Sequence, residues 1–327
     1  MAKRGKPPDH QLNLLAEHEL LIEAQEALEA NAVWYYNRTM CQLALPASSF
    51  PGREFLRDSG AFHLIVQALP PLTVPWGIYP RGILNWAVTE IVRKKKTNPS
   101  RTLELGASLA DFMQKVSGTK TYSGGEFGNI KPFKRQLSNL FGSRIAFWIG
   151  EGKELDMTET HGASMQIGAA WNLMWHNKLI GQKGLFQSTI QVGEEFYQDC
   201  VENAVPVDVR IIRGLWPNCM AFDIYVWLTY RAHTLIATRR WFLDLSWGSL
   251  KMQFGFQYSS MRKFRQNFLL ALKRVSFLYQ KMEFEERPGQ GITFRFKRPS
   301  IQSVRVPAQL PASTERSEDL PHSSTHK

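Results

Sequence analysis

One order of segments occurs twice in this sequence, and it constrains the fold more than any other feature. In the first copy, Gly82–Lys96 has helical periodicity, with Ile83, Leu84, Ala87, Val88 and Ile91 on one face. Thr102–Leu105 reads as a short strand. Ser108 then stands as the N-cap of a helix reaching Val116, with Asp111 at N3 in a capping-box-like position. A Gly-rich turn, Ser123-Gly124-Gly125, leads into a basic helix at Ile130–Phe141, and Arg144–Ile149 reads as a strand that opens a hairpin.

The second copy follows the same plan. Ala221–Arg231 is a helix, Leu243–Leu245 a short strand, and Ser246 caps a helix that Gly255 ends. A basic helix runs from Ser260 to Tyr279. Met282–Arg287, the turn Pro288-Gly289-Gln290-Gly291 and Ile292–Lys297 then alternate as a hairpin. Helix, strand, helix, helix, hairpin is the order of a winged helix. The sequence therefore predicts an α+β chain with two winged-helix domains in tandem and an N-terminal helical extension.

The expected domains are 71–204 and 205–298. Before them, residues 1–70 hold a basic arm, an amphipathic helix over 11–32 and the start of a Pro- and Gly-rich linker over 46–80. That helix has two readings: it packs on the body, or it joins a partner or a second copy in a homodimer. Residues 299–327 are rich in Pro and Ser and poor in large apolar side chains, which predicts a disordered tail.

Charge follows the repeat. The net charge is +11, but residues 81–150 carry +8 and residues 259–298 carry +7, so the rest of the chain is acidic on balance. Two separated basic segments are the footprint expected of a protein that touches a DNA duplex twice. A major groove admits one α-helix whose outer face offers donors. In the second basic helix, Phe264, Phe268, Ala271, Leu272 and Val275 share one side at 100° per residue. Arg262, Lys263, Gln266, Asn267, Lys273 and Arg274 share the other, with Arg265 among the same donors. The first basic helix buries Phe133, Leu137, Leu140 and Phe141 and is expected to present Lys131, Lys134, Arg135, Ser138 and Asn139. Arg295 and Lys297 would lie on a wing against phosphates, although Glu283, Glu285 and Glu286 in the same hairpin oppose that. The run Arg93-Lys94-Lys95-Lys96 suits a solvated helix C-terminus as well as a phosphate contact.

Motifs for catalysis are missing. A metal-dependent DNA nickase needs a tyrosine and closely spaced histidines, and the eight histidines include no His-x-His pair in the folded region. No Gly-x-x-x-x-Gly-Lys-Ser/Thr loop is present, so the sequence predicts no ATPase of that kind, no metal and no cofactor. Trp171, Trp175 and Trp216 are read as core residues in preference to base-stacking ones. With no stretch of about 18 apolar residues, no membrane span is expected. Three cysteines far apart in sequence fit a reducing cytoplasm.

Particular blocks resemble a known family. Val74-Pro75-Trp76-Gly77-Ile78-Tyr79-Pro80-Arg81 looks like the opening block of the RepA-type plasmid replication initiators. Leu103-Glu104-Leu105-Gly106, Ser108–Met113, Gly193-Glu194-Glu195-Phe196 and Pro206–Arg210 are similar to later blocks, as are Phe222–Arg231, Trp247–Leu250 and Phe264–Phe268. The blocks stand in order over residues 72–298. The resemblance implies binding of repeated origin sequences, local opening of the duplex, and recruitment of the host replicative helicase and initiator proteins. A winged-helix transcriptional repressor, acting on its own promoter, is the alternative that uses the same modules.

Overall fold

The computed structural model describes residues 32–42, 44–58, 62–106, 108–119, 122–123, 128–149, 161–173 and 188–301. The expected helix at 11–32, the Gly124-Gly125 turn, Trp175 and the tail beyond 301 lie outside the described residues. In chain order the elements begin with β1 (Val33–Asn37), α1 (Arg38–Cys41), β2 (Glu54–Asp58), β3 (Phe62–Ala68), α2 (Ile78–Lys94), β4 (Thr102–Gly106), α3 (Leu109–Ser117) and α4 (Ile130–Phe141). Next come β5 (Ser143–Ile149), β6 (His161–Gln166), β7 (Gly168–Asn172), β8 (Ser188–Val192), α5 (Glu194–Asn203), β9 (Ala204–Asp208) and α6 (Val209–Leu215). The last are α7 (Cys219–Ala237), β10 (Phe242–Ser246), α8 (Trp247–Phe254), α9 (Met261–Leu278), β11 (Met282–Arg287) and β12 (Gly291–Phe296). The mixed helix and sheet content is that of an α+β chain.

Local chemistry sets the helix boundaries. Ser108 Oγ accepts from Asp111 N–H at 3.2 Å and starts α3, and Gly118, with φ 73°, ends it in the left-handed region. Ser246 Oγ accepts from Ser249 N–H at 3.0 Å at the start of α8, and Ser260 caps α9 through Lys263 N–H at 3.5 Å. The apolar stripe of α9 is buried as the periodicity predicts: Phe264, Phe268, Ala271, Leu272 and Val275 all face the core. Truncating either phenylalanine to Ala would cost about 3–5 kcal/mol.

The two copies match in pairing as well as in order. In the second, β10, β12 and β11 form an antiparallel sheet in that spatial order, with Leu243 opposite Phe294 and Phe284 opposite Phe294. In the first, β4, β8 and β7 form the equivalent sheet, with Leu103 opposite Ile190 and Trp171 opposite Ile190. At Gly291 a Cβ would stand 1.8 Å from Leu245 O, so only glycine lets β12 approach β10 this closely.

Three expectations need correction. The stretch 46–80 is not a linker, because it contributes β2 and β3. Its alternation of Phe55, Leu64 and Val66 with exposed or half-buried side chains supplies one buried sheet face. The strand at Arg144–Ile149 does open a hairpin, β5–β6, but that hairpin is an insertion. It joins β2 and β3 in a four-stranded antiparallel sheet, order β2-β3-β5-β6, and the strands that complete the first unit come later, at β7 and β8. The tail starts later than expected, since Ser300 and Ile301 are buried and Ser300 Oγ lies 2.8 Å from the Tyr225 hydroxyl.

Side chains also tie the four-stranded sheet and the N-terminal strands to the second unit. Arg57 of β2 is buried, and its guanidinium donates to the Met252 and Gln253 carbonyls at the C-terminal end of α8. A cation there meets the negative end of the helix dipole. Burial lowers the Arg57 pKa to about 10, which leaves it charged at neutral pH. Gln253 Nε2 donates to Gln42 O at 2.9 Å. β1 and β9 pair antiparallel beside α2.

Candidate nucleic-acid interface

α9 turns its polar side out. Arg262, Lys263, Gln266, Lys273 and Arg274 are exposed, while Asn267 is half-buried. Arg265 is turned aside: it is half-buried, with its guanidinium 5.1 Å from the centre of the Trp247 ring. The exposed donors span Arg262 to Arg274, a length of about 18 Å at 1.5 Å per residue. Leu270 (58% exposed) interrupts them, and Phe277 (78%) follows them on the same side. Sequence periodicity places both on this face, but they carry no charge or hydrogen-bonding group that would mark them as DNA contacts.

α4 is divided differently. Lys131 and Arg135 are exposed, and Lys134 and Ser138 are half-buried beside them. Burial lowers the Lys134 pKa. Asn139 does not belong to the exposed face. It is 1% exposed; its Oδ1 accepts from Thr73 N–H at 3.3 Å and its Nδ2 donates to Thr73 Oγ1 at 3.0 Å. Gln136 is buried too, and its Oε1 accepts from Trp76 N–H at 2.9 Å. These bonds hold the segment before α2 against α4. No pattern in the helix alone distinguishes Asn139 from Asn267; the difference comes from Thr73, 66 residues away.

The outer face of the β10-β12-β11 sheet is close to neutral. Arg295 lies 3.2 Å from Glu285, Lys297 2.5 Å from Glu283, and Arg287 3.4 Å from Asp244. The Lys297 ammonium lowers the Glu283 pKa. Arg295 and Lys297 are exposed, but each has a carboxylate beside it, and neither lies on the α9 face. The run at 93–96 is largely occupied by the body of the protein: Arg93 donates to Val33 O at 3.2 Å, Lys94 pairs with Glu90 at 3.7 Å, and Lys95 donates to Val201 O at 3.2 Å. Trp171, expected in the core, is 40% exposed on β7.

Among the described residues no group of three or more His, Cys, Asp or Glu side chains is placed to hold a metal ion. Among them too, no helix is long and apolar enough to cross a membrane. A cavity of about 250 Å³ beside α4, lined by Tyr79, Met113, Ser117, Thr119, Asn129, Phe133 and Trp216, is smaller than the roughly 300–1,000 Å³ of small-molecule sites.

Fold and surface together define a basic protein with two matching helix-and-sheet units, each carrying one cationic helix outward. A family model described as plasmid-encoded RepA protein matches residues 74–248, more than half of the chain. The chain belongs to this RepA family of plasmid-encoded replication proteins. Among curated proteins, none matches the chain. Among solved structures, the chain is similar to a crystal structure of selenomethionine derivatives of domains 2 and 3 of RctB. The TM-score is 0.48 at 11% identity, over 78% of this chain and 94% of that one.

Proposed function

We propose that this protein initiates plasmid replication by binding repeated origin sequences through two winged-helix units, and that it performs no catalytic step itself. The first unit corresponds to residues 71–204 and carries the β5–β6 insertion, and the second runs from 205 to the buried Ile301. The observation that carries this proposal is the exposed side of α9, where Arg262, Lys263, Gln266, Lys273 and Arg274 stand together while every aromatic residue but Phe277 turns inward. Arg matches the guanine edge and Gln the adenine edge, each discriminating by about 1–3 kcal/mol. Lys131, Lys134, Arg135 and Ser138 of α4 supply a second, mainly phosphate-directed contact. Arg265, Asn267, Arg295 and Lys297 flank the main face, and Asn139 supports α4 from within. Opening of the duplex, recruitment of the host replicative helicase and initiator proteins, and action in the bacterial cytoplasm complete the proposed role.

Binding of the full chain to a duplex selected from a random pool, measured as a function of salt, tests it. Each neutralised phosphate contributes about −0.9 to the slope of log K against log salt. Lys131→Ala should flatten that slope by about one. A slope near zero for the selected duplex, or the absence of any preferred duplex, would overturn the proposal.

A further inference from the structure

The end of α7 holds an arginine where the backbone favours glycine. Arg239 has φ 57°. Its N–H donates to Ile236 O at 3.0 Å and the Arg240 N–H donates to Leu235 O at 2.8 Å, the bonding of a helix closed by a left-handed residue. In that region a Cβ crowds the following carbonyl, so a side chain is strained there and glycine is not. Strain of this kind persists only where the surrounding structure holds it, and such positions cluster at functional sites. The residues that follow are exposed as well: Arg240, then Trp241 (50%) and Phe242 (61%).

The surroundings narrow the ligand. Phe242 stands opposite Arg295 across β10 and β12, and Trp241 O accepts from Phe296 N–H at 2.8 Å. Phe296 pairs with Met282, four residues beyond the end of α9, so this surface lies beside the C-terminal end of that helix. On the sheet face that Phe242 shares with Arg295, Asp244, Glu283 and Glu285 are each answered by a cation. Among the described residues Arg239 and Arg240 form no ion pair, which leaves their two charges for a ligand.

We propose that Arg239, Arg240, Trp241 and Phe242 form a docking platform for an unpaired DNA strand, with the guanidinium groups against phosphates and the two rings stacking on bases. In a duplex the base faces are covered by their neighbours, so exposed rings gain little there. In a single strand every base offers a face, and cations flanking aromatic rings bind it with little regard to sequence. The proposal rests on the protein acting at an origin, where a strand is released when the duplex opens. It gives the second unit one surface for paired DNA and another for unpaired DNA.

The test uses the full chain, an end-labelled oligo(dT) of about 20 nucleotides and, separately, a labelled selected duplex. Trp241→Ala and Phe242→Ala should each weaken oligo(dT) binding about ten-fold and leave duplex binding within about two-fold. Arg239→Gly should weaken oligo(dT) binding about three-fold while its melting temperature stays at or above that of the wild type. That combination separates loss of a ligand contact from loss of fold. Wild-type protein that binds the duplex but not oligo(dT), or variants that bind oligo(dT) as the wild type does, would overturn the platform and leave the role of α9 intact. Variants that lose self-association in sedimentation, with oligo(dT) binding unchanged, would assign the surface to a second copy and likewise overturn it. Oligo(dT) binding that depends on Trp241 and Phe242 in a protein with no duplex affinity would support the platform and sink the α9 proposal.

Discussion

Arg81 and Asp223 meet in a two-point ion pair, Nε to Oδ1 at 2.7 Å and Nη2 to Oδ2 at 2.6 Å, that joins α2 of the first unit to α7 of the second. Both side chains are buried, and Arg81 also donates to the carbonyls of Leu45 and Gly77, each at 2.6 Å. Burial alone would lower the Arg81 pKa; the Asp223 carboxylate more than reverses this and holds it raised. The equivalent first helices of the two units are thus locked by a charge pair whose members are 142 residues apart.

Breaking that pair from one side leaves a buried charge without its partner. Asp223→Leu should lower unfolding stability by about 3–5 kcal/mol, read as a drop in the urea midpoint. Arg81→Met with Asp223→Leu should recover part of the loss, because no unpaired charge remains. A cost below about 1 kcal/mol for Asp223→Leu would mean that the two helices are held by their apolar contacts alone.

His233, on α7, is buried, and burial lowers its pKa to about 4. In the unfolded chain the imidazole titrates near its ordinary value of about 6.5. The folded state therefore binds fewer protons between these values. Its stability contribution is complete above about pH 6.5 and is lost as pH falls toward 4, by on the order of 3 kcal/mol. His233→Gln should flatten stability over that window relative to the wild type. Parallel pH profiles for the two proteins would show that His233 is not the group responsible.

Asn139 and Gln266 should separate structure from recognition. Asn139→Ala removes both bonds to Thr73 and should lower stability by about 1–3 kcal/mol, with the ratio of specific to random-duplex affinity unchanged. Gln266→Ala, on the exposed side of α9, should leave stability within about 0.5 kcal/mol and reduce that ratio by about 1–3 kcal/mol at one fixed salt concentration. The reverse pattern would move the base-reading role to α4.

The boundary of the folded region should lie at Ile301. Truncation after residue 301 should leave the melting temperature and duplex affinity unchanged. Truncation after Arg298 removes the Ser300 hydroxyl from Tyr225, the Ser300 carbonyl from Lys281 Nζ at 3.4 Å, and the buried Ile301 side chain. Such a chain should melt several degrees lower, since a lost buried aliphatic side chain costs about 2–5 kcal/mol. Equal melting of the two truncations would place the end of the fold at 298.

Features that depend on near neighbours were legible in the sequence alone. The Ser108, Ser246 and Ser260 caps act on a donor three residues away. The buried stripe of α9 follows from a period of 3.6, and the β11–β12 hairpin from the Gly-containing turn between its strands. The repeat was visible because it is an order of such local signals, and the family blocks lie along it. Tertiary structure decided whatever needs a distant partner. A strand's own residues do not say which strand it will pair with: from sequence the strand at Arg144–Ile149 opens the hairpin that ends the first unit, whereas in the structure β5 and β6 complete a sheet with β2 and β3. Amphipathic periodicity likewise divides polar from apolar positions but cannot find a polar residue whose hydrogen bonds are met inside. By periodicity Asn139 stands with the exposed donors, whereas in the structure it bonds Thr73; Arg81 and Asp223 lie within family blocks with nothing in either block to say that they touch.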